Sequence, residues 1–193
     1  LRGFKNSLII SCGATVIATV LAIPAAYGLA RFRFGARRGL VLFFLITQML
    51  PSTLVLTSLY IMFSKMHLLN TYWAPILADA TLGIPFSIII LRTYFVSIPK
   101  ELDEAAKIDG CNTLKTLWYV IVPMLKPSLV SCALFQFMWT NNDFQGPLIY
   151  IADMQKYTNS VYLRMSMDGD VGFQWNRILA MSLISIVPSL IVF

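Results

Sequence analysis

Two stretches of this chain concentrate side chains able to do chemistry. The first runs from Lys100 to Lys126 and reads KELDEAAKIDGCNTLKTLWYVIVPMLK, mixing acids and lysines with a glycine and a proline. The second, Gln136 to Asp143, reads QFMWTNND and sets amides, a hydroxyl and a carboxylate in an otherwise apolar run. Such groups hold a polar solute through hydrogen bonds, but they make up no nucleophile motif. His67 is the single histidine and has no second ligand in view. Cys12, Cys111 and Cys132 show no CxxC or CxxH spacing, which argues against a disulfide framework or a zinc site. No G-x4-G-K-[ST] phosphate loop occurs. The chain is therefore expected to be no enzyme, to bind no metal and to carry no cofactor of its own.

The elements that must position these residues are membrane spans. Hydrophobic residues make up 58% of the chain and charged ones 12%, against the roughly 45–50% apolar content usual in soluble domains. A bilayer core needs roughly 20 apolar helical residues. Stretches 8–30, 40–64, 74–97, 128–150 and 178–193 meet that need or begin to. Leu1 is not a natural start and Phe193 falls inside an apolar run, so the sequence is expected to be a fragment and 8–30 a span rather than a signal peptide. Arg31, Arg33, Arg37 and Arg38 in one loop and Lys100, Lys107, Lys115 and Lys126 in another put 31–39 and 98–127 on the cytoplasmic side. Arg92, near the inner end of the third span, reads as an anchor whose head snorkels to the interface.

Within the charged stretch, Pro99 and the acids Glu101, Asp103 and Glu104 favour a helix start. Gly110 allows a left-handed residue and a sharp turn. A second helical run, Asn112 to Val122, stops before Pro123. Leu114, Leu117, Trp118 and Ile121 form an apolar stripe along it. The helix–turn–helix either docks in a partner's groove or lies on the membrane surface.

The spacing Glu104-Ala105-Ala106, three residues, Gly110, nine residues, then Val120-Ile121-Val122-Pro123 resembles the EAA loop of bacterial ABC importer permeases, with Val120 and Val122 where Ile and Leu are usual. AYGLARFRF at 26–34, TQMLPSTLVLTSLYIMF at 47–63, LLNTYWAPIL at 68–77, SIPKELDEAAKIDGC at 97–111 and NDFQGPLIYI at 142–151 are similar to the MalG-like branch of that family, which serves carbohydrate uptake. Asn141 departs from it, since members often have Trp before NDF.

The resemblance implies an all-α membrane protein, a polytopic helical bundle of the type I ABC importer permease kind. About five spans would lie in this sequence, as one transmembrane domain over 1–193 lacking a first span and a C-terminal tail. Residues 100–123 would form the coupling helices that enter a cleft on a cytoplasmic ATPase. There Glu104 would meet a basic residue, Ala105 and Ala106 would permit close approach, Gly110 would make the turn, and Asp109 and Pro123 would belong to the same surface. The partners implied are a second permease subunit forming a heterodimer, two ATPase subunits holding ATP and Mg, an extracytoplasmic solute-binding protein, a carbohydrate substrate and membrane lipid, with no nucleic acid. The location implied is the bacterial cytoplasmic (inner) membrane, multi-pass.

At 100° per residue Gln136, Thr140 and Asp143 fall on one helical face, the candidate substrate path together with Asn141 and Asn142; packing of neighbouring helices is the alternative use. Gln48, beside the kink-forming Pro51, and Asp79 are weaker candidates. Trp73, Tyr150 and Tyr157 are expected in interfacial belts. Segment 151–177, with Arg164, Asp168, Asp170 and Trp175, reads as an outer loop suited to a soluble binding protein. Rival functions are an ABC permease for a non-sugar solute, an ion-coupled secondary transporter using Asp79 or Asp143, and a membrane enzyme. In a background lacking the native cysteines, Lys107→Cys and Asp168→Cys are expected to react with an impermeant thiol reagent from opposite sides of the membrane. Labelling of both from one side would overturn the topology.

Overall fold

A computed structural model describes residues 2–168 and 175–192, and every regular element among them is helical. The order is α1 (Arg2–Arg31), α2 (Arg37–Thr47), α3 (Ser52–Lys65), α4 (Trp73–Ser97) and α5 (Glu101–Ile108). Then follow α6 (Thr113–Met124), α7 (Lys126–Asn142), α8 (Gln145–Tyr150), a short 3-10 turn (Met154–Lys156), α9 (Asn159–Asp168) and α10 (Trp175–Val192). Asp170 lies outside the described residues, as do the side chains of Asp168 and Arg177.

Among the described residues α1 and α4 are long and apolar enough to cross a membrane, and two bent helix pairs raise the number to four if each is one span. The expected second span is one of these pairs: α2 and α3 meet at 97° across residues 48–51. Pro51 has no N–H to give and begins α3 as its N-cap. The other pair is α6 and α7, which meet at 82° at Leu125; the expected fourth span, 128–150, takes only α7 of that pair and is itself broken. It ends as α7 at Asn142 and resumes as α8 after Asp143 and Phe144.

The chain forms two compact units. One comprises Ala18–Met49 and Gly83–Ala133. Its core joins Ala22, Ala26 and Ala30 of α1 to Ile88, Leu91 and Phe95 of α4 and to Leu117 and Ile121 of α6. The alanines recur every four residues, and small side chains let helices approach closely. Leu102 and Val120 pack against the same core, so the charged stretch is rooted in it.

The other unit comprises Leu1–Ile17, Leu50–Leu82 and Leu134–Phe193. Here Phe63 meets Tyr150 edge-on, with ring centroids 5.3 Å apart, among Leu56, Ala74 and Ala78. The Tyr150 hydroxyl donates to the Leu56 carbonyl at 3.1 Å. Tyr157 packs with Ile10, Ile76, Ile151 and Val161. Of the three expected belt residues only Trp73 is exposed, at 57%; Tyr150 and Tyr157 are core residues because their rings complete these clusters. Segment 151–168 is largely helical rather than an open loop, tied down by Asn6, whose amide donates to the carbonyls of Gln155 and Tyr157. Phe63 is 1% exposed, so Phe63→Ala is expected to destabilise the protein by about 3–5 kcal/mol. A lowered unfolding midpoint of the purified protein, with a smaller loss for Phe63→Leu, checks this.

Candidate functional site

The charged stretch folds as a helix, a turn and a second helix. Gly110 has φ +81°, a conformation that glycine alone adopts without strain. The Asn112 side chain then accepts the Lys115 N–H at 2.9 Å and caps α6. The second helix runs two residues beyond its expected end, to Met124, because residues 116–121 widen into a π turn in which the Val122 N–H reaches the Leu117 carbonyl. That extra width carries the helix through Pro123, which lacks an N–H. π turns of this kind gather at functional sites.

One face of this motif is anchored and the other is bare. Leu117 and Ile121 are buried, whereas Ile108 is 88% and Leu114 64% exposed. Glu104, Ala105, Asp109 and Gly110 are all exposed beside them. The expected stripe therefore divides, two residues facing inward and two outward. Ala106, expected beside Ala105 on the same surface, is turned inward. It is 5% exposed, so its small side chain serves the protein's own packing rather than a partner's approach.

A buried polar cluster holds the motif in place. Arg31 Nε lies 2.9 Å from Asp103 Oδ2, with the two side chains 7% and 10% exposed. The Tyr27 hydroxyl donates to Asp103 Oδ1 at 2.6 Å, and Arg31 Nη1 donates to the Ile98 carbonyl at 3.1 Å. The Arg31–Asp103 contact is one of charge rather than an aligned hydrogen bond, since neither atom has a hydrogen-bond partner. Breaking such a pair costs about 3–5 kcal/mol, because one charge is left buried alone. Sequence reasoning counted Arg31 as a loop charge and Asp103 as a helix-dipole acid. Local spacing carries no signal that pairs residues so far apart. Arg92 shares a cleft of about 380 Å³ with Arg37 and Arg38.

The polar run at 136–143 does not present one continuous face. Gln136 is 2% exposed; its Nε2 donates to the Asp79 carbonyl at 3.3 Å and to the Thr140 hydroxyl at 3.4 Å. Asn141 donates to the Ser185 carbonyl and its own carbonyl accepts from Ser160, joining α7 to α9 and α10. Asp143 leaves the face it was expected to share, because the helix has already ended. Its two carboxyl oxygens accept the N–H groups of Gln145 and Gly146, each at 3.0 Å, and begin α8. A Cβ on Gly146 would fall 2.6 Å from Asp143 Oδ2, so the cap requires glycine there. Asn142 and Asp143 line a cavity of about 520 Å³ with Asp79, Ser52, Phe135 and Trp139. Gln48 stands at the break after α2, its N–H bonded to the Ile46 carbonyl. Trp139, which sequence reasoning passed over, was detectable as an aromatic one turn before Asn142 and Asp143.

Apolar helices long enough to span a membrane, together with a charged helix–turn–helix that is exposed along one face, define a helical membrane protein. Residues 18–193 match the family described as binding-protein-dependent transport system inner membrane component. The chain belongs to that family, whose members are transport subunits and not catalytic ones. It is 32% identical over 190 residues to the diacetylchitobiose uptake system permease protein DasC of Streptomyces coelicolor, covering 98% of this chain and 68% of that protein. It is 33% identical over 187 residues to the trehalose/maltose transport system permease protein MalG of Thermococcus litoralis, covering 97% and 67%. The chain thus spans about two-thirds of the length of these relatives. Its fold is also that of a chain in the crystal structure of a bacterial ABC transporter that imports the acidic polysaccharide alginate. The TM-score is 0.82 at 24% identity, over 99% of this chain and 71% of that one.

Proposed function

We propose that this chain is one half of a heterodimeric permease in an ABC importer that passes a sugar or oligosaccharide from an external binding protein to the cytoplasm. Two cytoplasmic ATPase subunits, which hold the ATP and Mg, supply the energy. The chain works as a single permease domain in the bacterial inner membrane, with 100–123 as its coupling segment. Family membership decides against an ion-coupled secondary transporter and a membrane enzyme. The names of the two relatives, whose substrates are diacetylchitobiose and trehalose or maltose, support a carbohydrate over other solutes.

The observation that carries this reading is the exposed face of the charged helix–turn–helix. Glu104, Ala105, Asp109 and Gly110 are bare while Leu102, Leu117, Val120 and Ile121 of the same motif pack into a core, as expected of a surface kept for docking. Ile108 and Leu114 add apolar area at its tip, and apolar side chains exposed together mark binding sites. Asn142 and Asp143 are the residues of the polar run that meet the solute. Gln136 and Asn141 tie α7 to neighbouring helices, and Thr140 bonds to Gln136 within α7.

Gly110→Val puts a β-branched side chain at positive φ, a strain of about 1–2 kcal/mol. Glu104→Lys sets like charge against a basic partner, which costs several kcal/mol. Each is expected to lower ATP-driven uptake in proteoliposomes by about tenfold or more, or to release the ATPase on purification, without changing capture of solute by the binding protein. Retained ATPase with undiminished uptake in both variants would contradict the coupling role.

A further inference from the structure

α2 begins with two arginines and offers nothing to balance them. Arg37 and Arg38 open the helix, its first turn holds no acid, and Ala36 before it supplies no side-chain cap. Cations at a helix N-terminus meet the positive end of its dipole, where an anion is favoured. The hydrogen bond from Arg31 to the Ile98 carbonyl ties the chain just before α2 to the end of α4. A third arginine, Arg92 of α4, shares with the pair a cleft of about 380 Å³. Its Nε is buried and has no hydrogen-bond partner. Among the described residues no carboxylate pairs with any of the three guanidinium groups, and no acid lines the cleft.

The rest of the lining is apolar. Val41 and Leu42, one turn along α2 from the arginines, complete the cleft. No residue of α2 is buried, and Leu42, Phe43 and Ile46 are each more than half exposed. Arg92 itself lies in a helix apolar enough to cross a membrane, where a charge is costly without a partner. A phosphate diester supplies one, because its oxygens accept from guanidinium groups in pairs. In a phospholipid the acyl chains hang from the same group and cover the apolar side, which free phosphate would leave bare. Basic clefts between membrane helices bind lipid headgroups on these terms. A zwitterionic headgroup would bring its own cation against three guanidinium groups, so a net-anionic one is preferred. We propose that this cleft binds an anionic phospholipid, with its phosphate among Arg37, Arg38 and Arg92 and its acyl chains along Val41 and Leu42. The site is separate from the polar run at 136–143, and it does not depend on which solute is carried.

The test uses the purified importer, both permease subunits with the ATPase, in detergent. Native mass spectrometry with added dioleoyl phosphatidylglycerol or dioleoyl phosphatidylcholine measures how tightly each lipid is retained. Wild type should hold phosphatidylglycerol about tenfold more tightly than phosphatidylcholine. Arg37→Gln combined with Arg38→Gln, and separately Arg92→Gln, should each weaken phosphatidylglycerol binding by about tenfold and leave phosphatidylcholine retention unchanged, with the subunits still copurifying. Inorganic phosphate in large excess should leave the lipid bound. Displacement by it would make the cleft an open anion site and overturn the assignment to lipid. Equal retention of the two lipids by wild type, or unchanged phosphatidylglycerol retention in either variant, refutes the proposal. If either variant releases the second permease subunit or the ATPase, the cleft is a subunit interface and the proposal falls.

Discussion

The buried contact between Arg31 and Asp103 is the interaction on which the placement of the charged helix–turn–helix depends. Two chain segments arrive at it independently, the C-terminal end of α1 and the first turn of α5. The Tyr27 hydroxyl and the Ile98 carbonyl complete its polar surroundings, so the end of α1, the end of α4 and the start of α5 share one cluster. A charge pair with so little water around it is held tightly once made and is costly to break. The bare side of the motif can therefore be pushed by a partner without the motif coming loose.

Breaks in helices serve the rest of the structure in the same economical way. Pro51 separates α2 from α3, and Asp143 with Phe144 separates α7 from α8. Backbone groups freed inside a membrane need new partners. At the second break Asp143 supplies two of them and turns toward the cavity in doing so. Of the polar residues before it, Gln136 and Asn141 bond to neighbouring helices, and the Thr140 hydroxyl accepts from Gln136 within α7. One short run thus contributes both to packing and to a solute-sized space.

Much of this was legible in the sequence. Apolar runs of span length pointed to the all-helical membrane fold, and Pro99, Gly110 and Pro123 to a helix, a glycine turn and a second helix, because these are local patterns. The four-residue alanine repeat of α1 was equally legible as a packing face. What local reading missed needed distance or geometry. Arg31 and Asp103 look like ordinary surface charges until the fold joins them. Asp143 was placed on a helical face by a rotation that assumes an unbroken helix, and the break cancels that assumption. Ala106 matched a docking motif, yet the side of α5 on which it falls is set by the core beneath it.

On the coupling role proposed above, the Arg31–Asp103 pair joins the exposed helix–turn–helix to α1. A double-mutant cycle on ATP-driven uptake tests it most directly, with Arg31→Ala, Asp103→Ala and the double variant in proteoliposomes and ATPase copurification followed in parallel. The account predicts that each single variant keeps its ATPase and loses about tenfold or more of its uptake per ATP hydrolysed, and that the double variant is no worse than either single. Losses that simply multiply in the double variant, or full uptake in either single, would contradict it.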